Sequence, residues 1–350
     1  MSFAPVIDLR SDLLSRPTEA AIDAMCAAVR RPAVFGLRED PSQHELETRT
    51  AALLGKEDAL LFPTCSMANE AALLVLGRPG EVLLTQELAH VVTSEAGGPA
   101  ALAGLVPRAV PGGPAPPIES WLELFESGDE LKPRTGVLVL ENTHNRSGGT
   151  PLTQAYSRGI VREARKAGIH CHLDGARVFN AAVALDCEPA DLTESFDTVA
   201  VSLNKGLGAP LGAMLAGSRE LMREAVIVRQ RLGGGIRPSG VVAAPAAVLL
   251  DSWRDVSHDH RRARLLANAL EDLPGFRVDP PTSNIVVLTI DGNRGSRSSE
   301  ACDALAREGV LALPFGARRI RFVTYRGLSD REVHAAIDGI RRALNGWERS

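Results

Sequence analysis

The chain has 350 residues, of which 45% are hydrophobic and 23% charged, a composition typical of a folded globular protein with a substantial core. Its 39 Lys and Arg residues against 43 Asp and Glu residues give a formal net charge of −4, and no basic run is dense, so we expect no nucleic-acid partner. No apolar stretch reaches the roughly 18 residues of a membrane span, and the first residues lack the basic head and apolar core of a signal peptide. We therefore expect a cytoplasmic protein with no membrane partner.

The middle of the chain alternates short apolar runs with helical stretches, which is the pattern of parallel strands joined by crossover helices. The predicted strands are Ala59–Phe62, Val82–Thr85, Val137–Glu141, His170–Asp174, Val199–Leu203 and Ala213–Ala216. Helices such as Gln43–Leu54 and Thr153–Lys166 fall between them. Because strands of this kind are buried on both faces, we predict an α/β domain over residues 1–250, with a mostly parallel sheet, helices on both faces and an N-terminal arm.

From residue 251 onward the pattern changes to that of a smaller C-terminal α+β domain, residues 251–350. The predicted elements are a helix at Trp253–Leu270, a strand at Ser283–Leu288, a helix at Ser299–Glu308, strands at Val310–Pro314 and Arg319–Thr324, and a helix at Asp330–Leu344. The segments Gly112–Pro117 and Gly292–Ser299 are rich in Gly with Pro, or in Gly with Ser and Arg, and are predicted loops.

The strongest local signal is Lys205, which follows a predicted strand and precedes the Gly- and Pro-rich segment 206–212. Open α/β sheets bind ligands at the carboxyl ends of their strands, and small flanking residues let a flat ligand approach closely. Apolar neighbours lower the pKa of a lysine amine and make it a nucleophile suited to a Schiff base. Taken alone, however, a lysine after a strand is more often an ordinary surface residue.

Asp174 strengthens this interpretation because it ends another predicted strand, upstream of Lys205. Period-two alternation places His170, His172 and Asp174 on one face of that strand. A carboxylate at the end of an apolar strand needs a cationic partner, and the protonated pyridine nitrogen of pyridoxal phosphate is such a partner. The alternative is that Asp174 is a turn or helix-capping residue.

A third feature is the polar turn Thr64-Cys65-Ser66, which lies between a predicted strand and a helix that we expect to begin near Ser66. The free N–H groups at the start of such a helix bind anions, so the turn is a candidate phosphate site. An ordinary serine N-cap is the alternative.

The cysteines and paired histidines do not indicate a metal site. The five cysteines are odd in number, widely separated and without a C-x-x-C pair, which favours a reducing compartment and argues against a cysteine-based zinc site. The pairs His170/His172 and His258/His260 lack carboxylate or cysteine ligands at a suitable spacing. We predict no metal ion.

Five segments together carry a family resemblance: Asp8–Asp12 (DLRSD), Glu141–Gly149 (ENTHNRSGG), His172–Arg177 (HLDGAR), Ser202–Pro210 (SLNKGLGAP) and Leu232–Arg237 (LGGGIR). The chain resembles, from about residue 7 to 340, the low-specificity L-threonine aldolases of the threonine aldolase/β-eliminating lyase family of fold-type I pyridoxal-phosphate enzymes. The resemblance implies an aspartate aminotransferase-like fold and a homo-oligomer, either a dimer or a tetramer. It also implies a lyase that cleaves a β-hydroxy-α-amino acid such as L-threonine or L-allo-threonine reversibly to glycine and an aldehyde.

The resemblance further implies that the cofactor is pyridoxal 5′-phosphate (PLP). By motif, Lys205 forms the Schiff base, Asp174 faces the pyridine nitrogen and His90 stacks on the ring as one of the catalytic residues. The remaining residues implied to hold the cofactor are Thr64, Cys65, Ser66, Arg177 and Arg229, the last of them near the phosphate.

For the substrate, the resemblance implies that Ser11, Arg177 and Arg321 bind the carboxylate. Two arginines can fork onto one carboxylate through charge-assisted bonds and so orient the amino acid. His144 corresponds to a histidine near the β-hydroxyl, where a group with a pKa near neutrality can accept the hydroxyl proton as the Cα–Cβ bond breaks.

Three departures from the family pattern put the choice of substrate in question. Cys65 stands where glycine is usual, residues 36–40 include a two-residue insertion in a segment without the usual tyrosine, and Tyr325 replaces a common histidine. One alternative function is therefore a PLP-dependent β-eliminating lyase or transferase on another β-substituted amino acid, and another is a non-catalytic PLP-binding protein. Ser11 and Arg177 disfavour a sugar-nucleotide aminotransferase.

Overall fold

The computed structural model describes residues 6–292, 297–345 and 347. The helices are α1 (Glu19–Val29), α2 (Pro41–Leu53), α3 (Cys65–Leu76), α4 (His90–Thr93), α5 (Gly98–Ala101), α6 (Ile118–Leu122), α7 (Gln154–Lys166), α8 (Val178–Leu185), α9 (Pro189–Thr193), α10 (Arg219–Arg231), α11 (Gly240–Leu250), α12 (Val256–Asn268), α13 (Ser298–Arg307) and α14 (Asp330–Leu344). The strands are β1 (Ile7–Asp8), β2 (Asp58–Phe62), β3 (Val82–Gln86), β4 (Val106–Val110), β5 (Thr135–Glu141), β6 (His170–Asp174), β7 (Thr198–Ser202), β8 (Ala213–Gly217), β9 (Phe276–Val278), β10 (Ile285–Ile290), β11 (Val310–Leu311), β12 (Leu313–Pro314) and β13 (Arg319–Val323). No helix among these residues is both long and apolar enough to cross a membrane.

The larger sheet has the strand order β2-β8-β7-β6-β5-β3-β4. Its neighbouring strands are parallel except at β8, which runs antiparallel to both β7 and β2. One face packs against α3 and α10, and the other packs against a cluster that includes residues of α7, α8 and α11. This confirms the predicted mostly parallel sheet with helices on both faces.

Strand β4 was not predicted from the sequence because it is an edge strand. It pairs only with β3 in this sheet, and Val106 and Pro107 are exposed rather than buried in an apolar run. Proline is tolerated at a sheet edge because its missing N–H need not bond a neighbour. The apolar pattern that identified the central strands is therefore absent here.

The C-terminal part of the chain forms a four-stranded antiparallel sheet, β12-β13-β10-β9, packed with α12, α13 and α14 around a second apolar cluster. This confirms the predicted smaller α+β unit. The strand predicted at Val310–Pro314 is two short strands: β11 pairs in parallel with β1, and β12 pairs with β13. The prediction of a single strand was wrong because the apolar run continues past Leu311, the point where the chain changes from pairing with β1 to pairing with β13.

The N-terminal arm, expected to accompany the larger domain, packs against this second cluster through Ile7 and Leu9. The helix predicted from Trp253 begins at Val256 after a 3₁₀ turn. The predicted loop 112–117 has no helix or strand, whereas α13 begins inside the predicted loop 292–299, of which residues 293–296 lie outside the described part.

The strand register brings the site residues to one edge of the larger sheet. Glu141 at the end of β5 lies beside Asp174 at the end of β6, and Asp174 lies beside Ala200 of β7. Because these strands are parallel, their carboxyl ends open at the same edge.

Candidate active site

A cavity of about 260 Å³ lies at this edge, between the ends of β6 and β7 and the start of α3. Six of the residues expected at the site line it: Thr64, Cys65, Ser66, His90, Asp174 and Lys205. Asn69, Glu95 and Ser202 are also in its walls.

Lys205 is half-buried, and its amine has no hydrogen-bond partner among the described residues. The loop that carries it turns tightly, since the Gly208 N–H donates to the Lys205 carbonyl over 2.9 Å. Gly208 has a φ of +82°, and a Cβ there would lie 2.9 Å from the Arg16 carbonyl oxygen. Glycine is therefore required for this loop to pack against the N-terminal segment while it presents the lysine to the cavity.

Helix α3 offers its N-terminus to the cavity. Thr64 is the N-cap, and its hydroxyl accepts a hydrogen bond from the Met67 N–H over 3.1 Å. The helix begins at Cys65, one residue earlier than predicted, so the N–H groups of Cys65 and Ser66 have no partner within the helix. Burial raises the pKa of the Cys65 thiol well above its ordinary value, which keeps it neutral beside an anion.

Asp174 is buried beside the lysine. One carboxylate oxygen accepts from the Ala176 N–H over 3.1 Å and the other from the Asn69 side-chain amide over 3.0 Å. Both donors are neutral, and no described arginine or lysine bonds this carboxylate. A buried anion without a bonded cation suits a cationic ligand atom in the cavity.

His90 is held at both of its ends. Its backbone N–H donates to Glu141 Oε2 over 2.7 Å, and its ring Nδ1 lies 2.8 Å from Glu95 Oε1. The hydrogen bond to Glu95 is the main cause that raises the pKa of His90 above its ordinary value.

His144 has the opposite environment. Its side chain is fully buried, which lowers its pKa to about 4, so the ring is neutral at pH 7. Nδ1 lies 2.9 Å from the Ser147 hydroxyl, whereas Nε2 has no hydrogen-bond partner and lies 4.0 Å from Glu141 Oε2. His144 does not itself line the cavity. Glu141 lies next to His144, and burial and the nearby Asp174 raise the pKa of Glu141 to about 7.

The three residues expected to bind a carboxylate do come together, although Arg177 is not free. Its Nε and Nη2 donate to both oxygens of Asp12, over 2.7 and 2.8 Å, in a buried pair. Burial alone would raise the pKa of Asp12, but the guanidinium outweighs it and lowers that pKa to about 2. Of the two arginines expected to bind the substrate's carboxylate, Arg177 is thus already paired with a carboxylate of the chain itself.

Arg321 is the freer cation. Its Nη1 and Nη2 donate to neutral oxygens, those of the Asn145 side chain and the Arg10 backbone, and its Nε is buried without a partner. Burial and the nearby Arg177 guanidinium lower the pKa of Arg321 to about 10, so it stays charged at pH 7. Ser11, between Arg10 and Asp12, accepts a hydrogen bond from the Leu13 N–H and caps a short 3₁₀ turn.

The structure does not bring Arg229 to the cavity. Its guanidinium donates to the backbone carbonyls of Leu61, over 2.7 Å, and Leu37, over 3.3 Å. These bonds hold the side chain between α10 and β2 and fix the segment around Leu37.

Of the three departures from the family pattern, only Cys65 lines the cavity. The segment with the insertion is held to α2 and β2, because Arg38 forms ion pairs with Glu47 of α2 and Asp58 of β2. Tyr325 is buried in the second apolar cluster.

Sequence reasoning missed four buried polar residues around the site: Asp12, Asn69, Glu95 and Glu141. The position of Glu141 at a strand end next to Asp174 could have revealed it. The others act through contacts between distant segments, which periodicity and spacing do not predict.

Residues 8–293 match the model of the β-eliminating lyase family. The low-specificity L-threonine aldolase 1 of Arabidopsis thaliana is 35% identical over 349 residues, which cover 97% of this chain and 96% of that protein. Among solved structures, Leishmania major threonine aldolase superposes with a TM-score of 0.83 at 19% identity, over 97% of this chain and 99% of that one. A serine palmitoyltransferase from S. paucimobilis with a bound PLP–myriocin aldimine superposes with a TM-score of 0.74 at 17% identity, over 98% and 88%. The chain belongs to the β-eliminating lyase family.

Proposed function

We propose that this chain is a PLP-dependent aldolase that cleaves a β-hydroxy-α-amino acid of the L-threonine or L-allo-threonine type, reversibly, to glycine and an aldehyde. The observation that carries the proposal is the pairing of a free lysine amine with a buried, cation-free carboxylate in one cavity, Lys205 and Asp174. The identity to an Arabidopsis L-threonine aldolase along nearly the whole chain selects the reaction.

The residues around the cavity fit PLP at three points. The N–H groups at the start of α3 would bind its phosphate, Asp174 would bind its protonated ring nitrogen, and the Lys205 amine would attach it covalently. When bound, PLP supplies a protonated ring that withdraws electrons from the bond to be broken.

The chain's own residues orient the substrate. Arg321, with a buried and unpartnered Nε, would bind the amino acid's carboxylate beside Ser11. Fixing that carboxylate chooses which bond at Cα stands perpendicular to the ring. Arg177 supports this arrangement by holding Asp12, and with it the N-terminal segment, in place.

His144 would accept the proton of the β-hydroxyl. Its ring is neutral, and because Nδ1 can donate to the Ser147 hydroxyl, Nε2 keeps a lone pair. As the Cα–Cβ bond breaks, that hydroxyl becomes the carbonyl of the departing aldehyde and needs such an acceptor.

We extend the proposal to a homo-oligomer, a dimer or a tetramer, in the cytoplasm. Two large apolar side chains, Phe35 and Val29, are 87% and 65% exposed and are available for contact with a second copy. The described cysteines are all free thiols, as expected in a reducing compartment. Size-exclusion chromatography with light scattering tests the assembly: a monomer at micromolar concentration would contradict it.

A product assay on a panel of β-hydroxy amino acids tests the activity, with Lys205→Ala as the inactive control. Glycine and acetaldehyde from L-threonine or L-allo-threonine are the expected products. Ammonia and a keto acid from serine would instead indicate a β-eliminating lyase, and PLP binding without turnover of any amino acid would indicate a non-catalytic protein.

A further inference from the structure

A continuous hydrogen-bonded network lies beneath the cavity and connects four segments of the chain. Its bonds join Thr198 Oγ1 to His172 Nδ1 (2.8 Å), His172 Nε2 to Asn69 Oδ1 (3.1 Å), Asn69 Nδ2 to Asp174 Oδ2 (3.0 Å) and to Glu95 Oε1 (2.9 Å), and Glu95 Oε1 to His90 Nδ1 (2.8 Å). One amide nitrogen therefore holds both the carboxylate at the ring-nitrogen position and the carboxylate that bonds His90.

The direction of these bonds follows from the charge on His172. Burial lowers the pKa of His172 to about 4, so the ring is neutral and carries one proton. The Asn69 amide nitrogen can only donate, and it donates to two carboxylates, so its oxygen accepts from His172 Nε2–H. Consequently, the oxygens of Asp174 and Glu95 that face Asn69 carry no proton.

Glu95 Oε1 therefore accepts the hydrogen bond from His90 Nδ1–H. A histidine whose Nδ1–H donates to a carboxylate exchanges its second proton at Nε2, the nitrogen that remains for the cavity. The charged groups around the His90 ring are Glu95 and Asp174, which favour its protonated form, and Lys205, which opposes it. Glu141 bonds the His90 backbone, and Glu70 lies near Glu95.

Two histidines, His90 in the cavity wall and His144 outside it, thus have opposite properties. Burial makes His144 a neutral base, whereas Glu95 makes His90 readily protonated. Opposite shifts of this kind separate the acid from the base in an active site. Cleavage to glycine needs both, because the β-hydroxyl loses one proton while Cα, which keeps the electron pair of the broken bond, gains one.

We propose that His90 Nε2–H donates the proton that Cα gains, and that Glu95, fixed by Asn69, is the positioning residue that makes it able to do so. The β-hydroxyl proton passes to His144 Nε2, the Cα–Cβ electron pair stays on Cα, and the His90 proton completes glycine. In the reverse direction, His90 removes a proton from Cα of glycine. This inference rests on the proposed function and assigns it a second proton-transfer group.

Exchange of the glycine α-hydrogen with D₂O isolates this step, because glycine has no β-hydroxyl. With holoenzyme and glycine, NMR should show an exchange rate that rises with pH through the pKa of His90. Glu95→Gln keeps the shape of the side chain but removes its charge. We expect it to move the midpoint down by about one pH unit and to slow exchange at the plateau, since a weaker base removes the proton.

Glu70→Gln is the matched control, because Glu70 lies near Glu95 but bonds neither His90 nor Asn69. Glu70→Gln should leave the midpoint of the exchange profile in place. Glu95→Asp keeps a carboxylate and should therefore move the midpoint less than Glu95→Gln does. His144→Asn should lower kcat for threonine cleavage by about 10²–10⁴-fold yet retain glycine exchange.

A second readout does not depend on turnover: the pKa of His90, followed by NMR with histidine-selective ¹³C labelling and assigned with His90→Asn. A drop of about one pH unit in Glu95→Gln supports the inference. An unchanged pKa and exchange midpoint in that variant would overturn it, even if cofactor affinity falls. A wild-type protein that binds no PLP would instead refute the proposed function, which keeps the two failures distinct.

Discussion

The buried ion pair between Asp12 and Arg177 allows a quantitative test of how the N-terminal segment is held at the site. Asp12→Asn keeps the side chain's shape but leaves the Arg177 guanidinium buried without an anion, a change that costs about 3–5 kcal/mol of folding free energy. The same segment supplies a matched control, the solvent-accessible pair of Asp8 and Arg10. Because water screens that pair, Asp8→Asn should cost less than about 1 kcal/mol.

The pH dependence gives a second, independent magnitude. Folding lowers the pKa of Asp12 from its ordinary value of 3.8 to about 2, so its ionised form stabilises the folded state. The contribution, about 2 kcal/mol, is fully present above about pH 4 and is lost as the pH falls toward 2.

Urea unfolding, followed by tryptophan fluorescence at pH 7 and at several values between 5 and 2, measures both quantities. The Asp12→Asn protein should be the less stable at pH 7 and should lose less stability than wild type on acidification. Equal stabilities of the Asp12→Asn and Asp8→Asn proteins at pH 7 would refute the claim that this pair is buried and intact.

Three further predictions concern the cavity and its surroundings. Arg321→Gln should lower kcat/KM for the amino acid by roughly 10–100-fold, mainly through KM, because it removes a charged hydrogen-bond donor worth about 1.5–3 kcal/mol. An unchanged KM in the aldehyde-release assay would contradict this. His144→Asn should lower kcat for cleavage by about 10²–10⁴-fold. In wild type, His144 should stay active as a base when the pH falls to about 5, because its pKa lies near 4. A loss of rate with a midpoint near pH 6.5 would point to another base. Cys65 should react with iodoacetamide far more slowly than the exposed Cys26, because burial keeps its thiol protonated, and peptide mass spectrometry would show the reverse order if Cys65 were an accessible thiolate.

The parts of the fold and site that could be predicted are those with a local signal. Asp174 ends the apolar strand β6, Lys205 lies shortly after the apolar strand β7, and each precedes glycine. Their meeting at one sheet edge therefore follows from the parallel pairing of these strands. The turn before α3 was recognisable for the same reason, although the helix begins one residue earlier because Thr64 rather than a later residue caps it.

What could not be predicted depends on contacts between distant segments. Asp12 meets Arg177 across 165 positions, and Asn69 reaches Asp174 across 105, and neither partner carries a local mark of the pairing. Arg229 is the converse case, a residue expected at the site that does not line the cavity. The family resemblance implied a place near the phosphate, whereas two backbone carbonyls accept hydrogen bonds from its guanidinium.

The most direct measurement of the central claim is to locate the bound cofactor on the chain. Incubation with PLP, reduction with borohydride and peptide mass mapping should place a single pyridoxyl group on Lys205, and Asp174→Ala should weaken PLP binding while leaving that position unchanged. A pyridoxyl group spread over several surface lysines, or equal PLP affinity in the Lys205→Ala and wild-type proteins, would contradict the account.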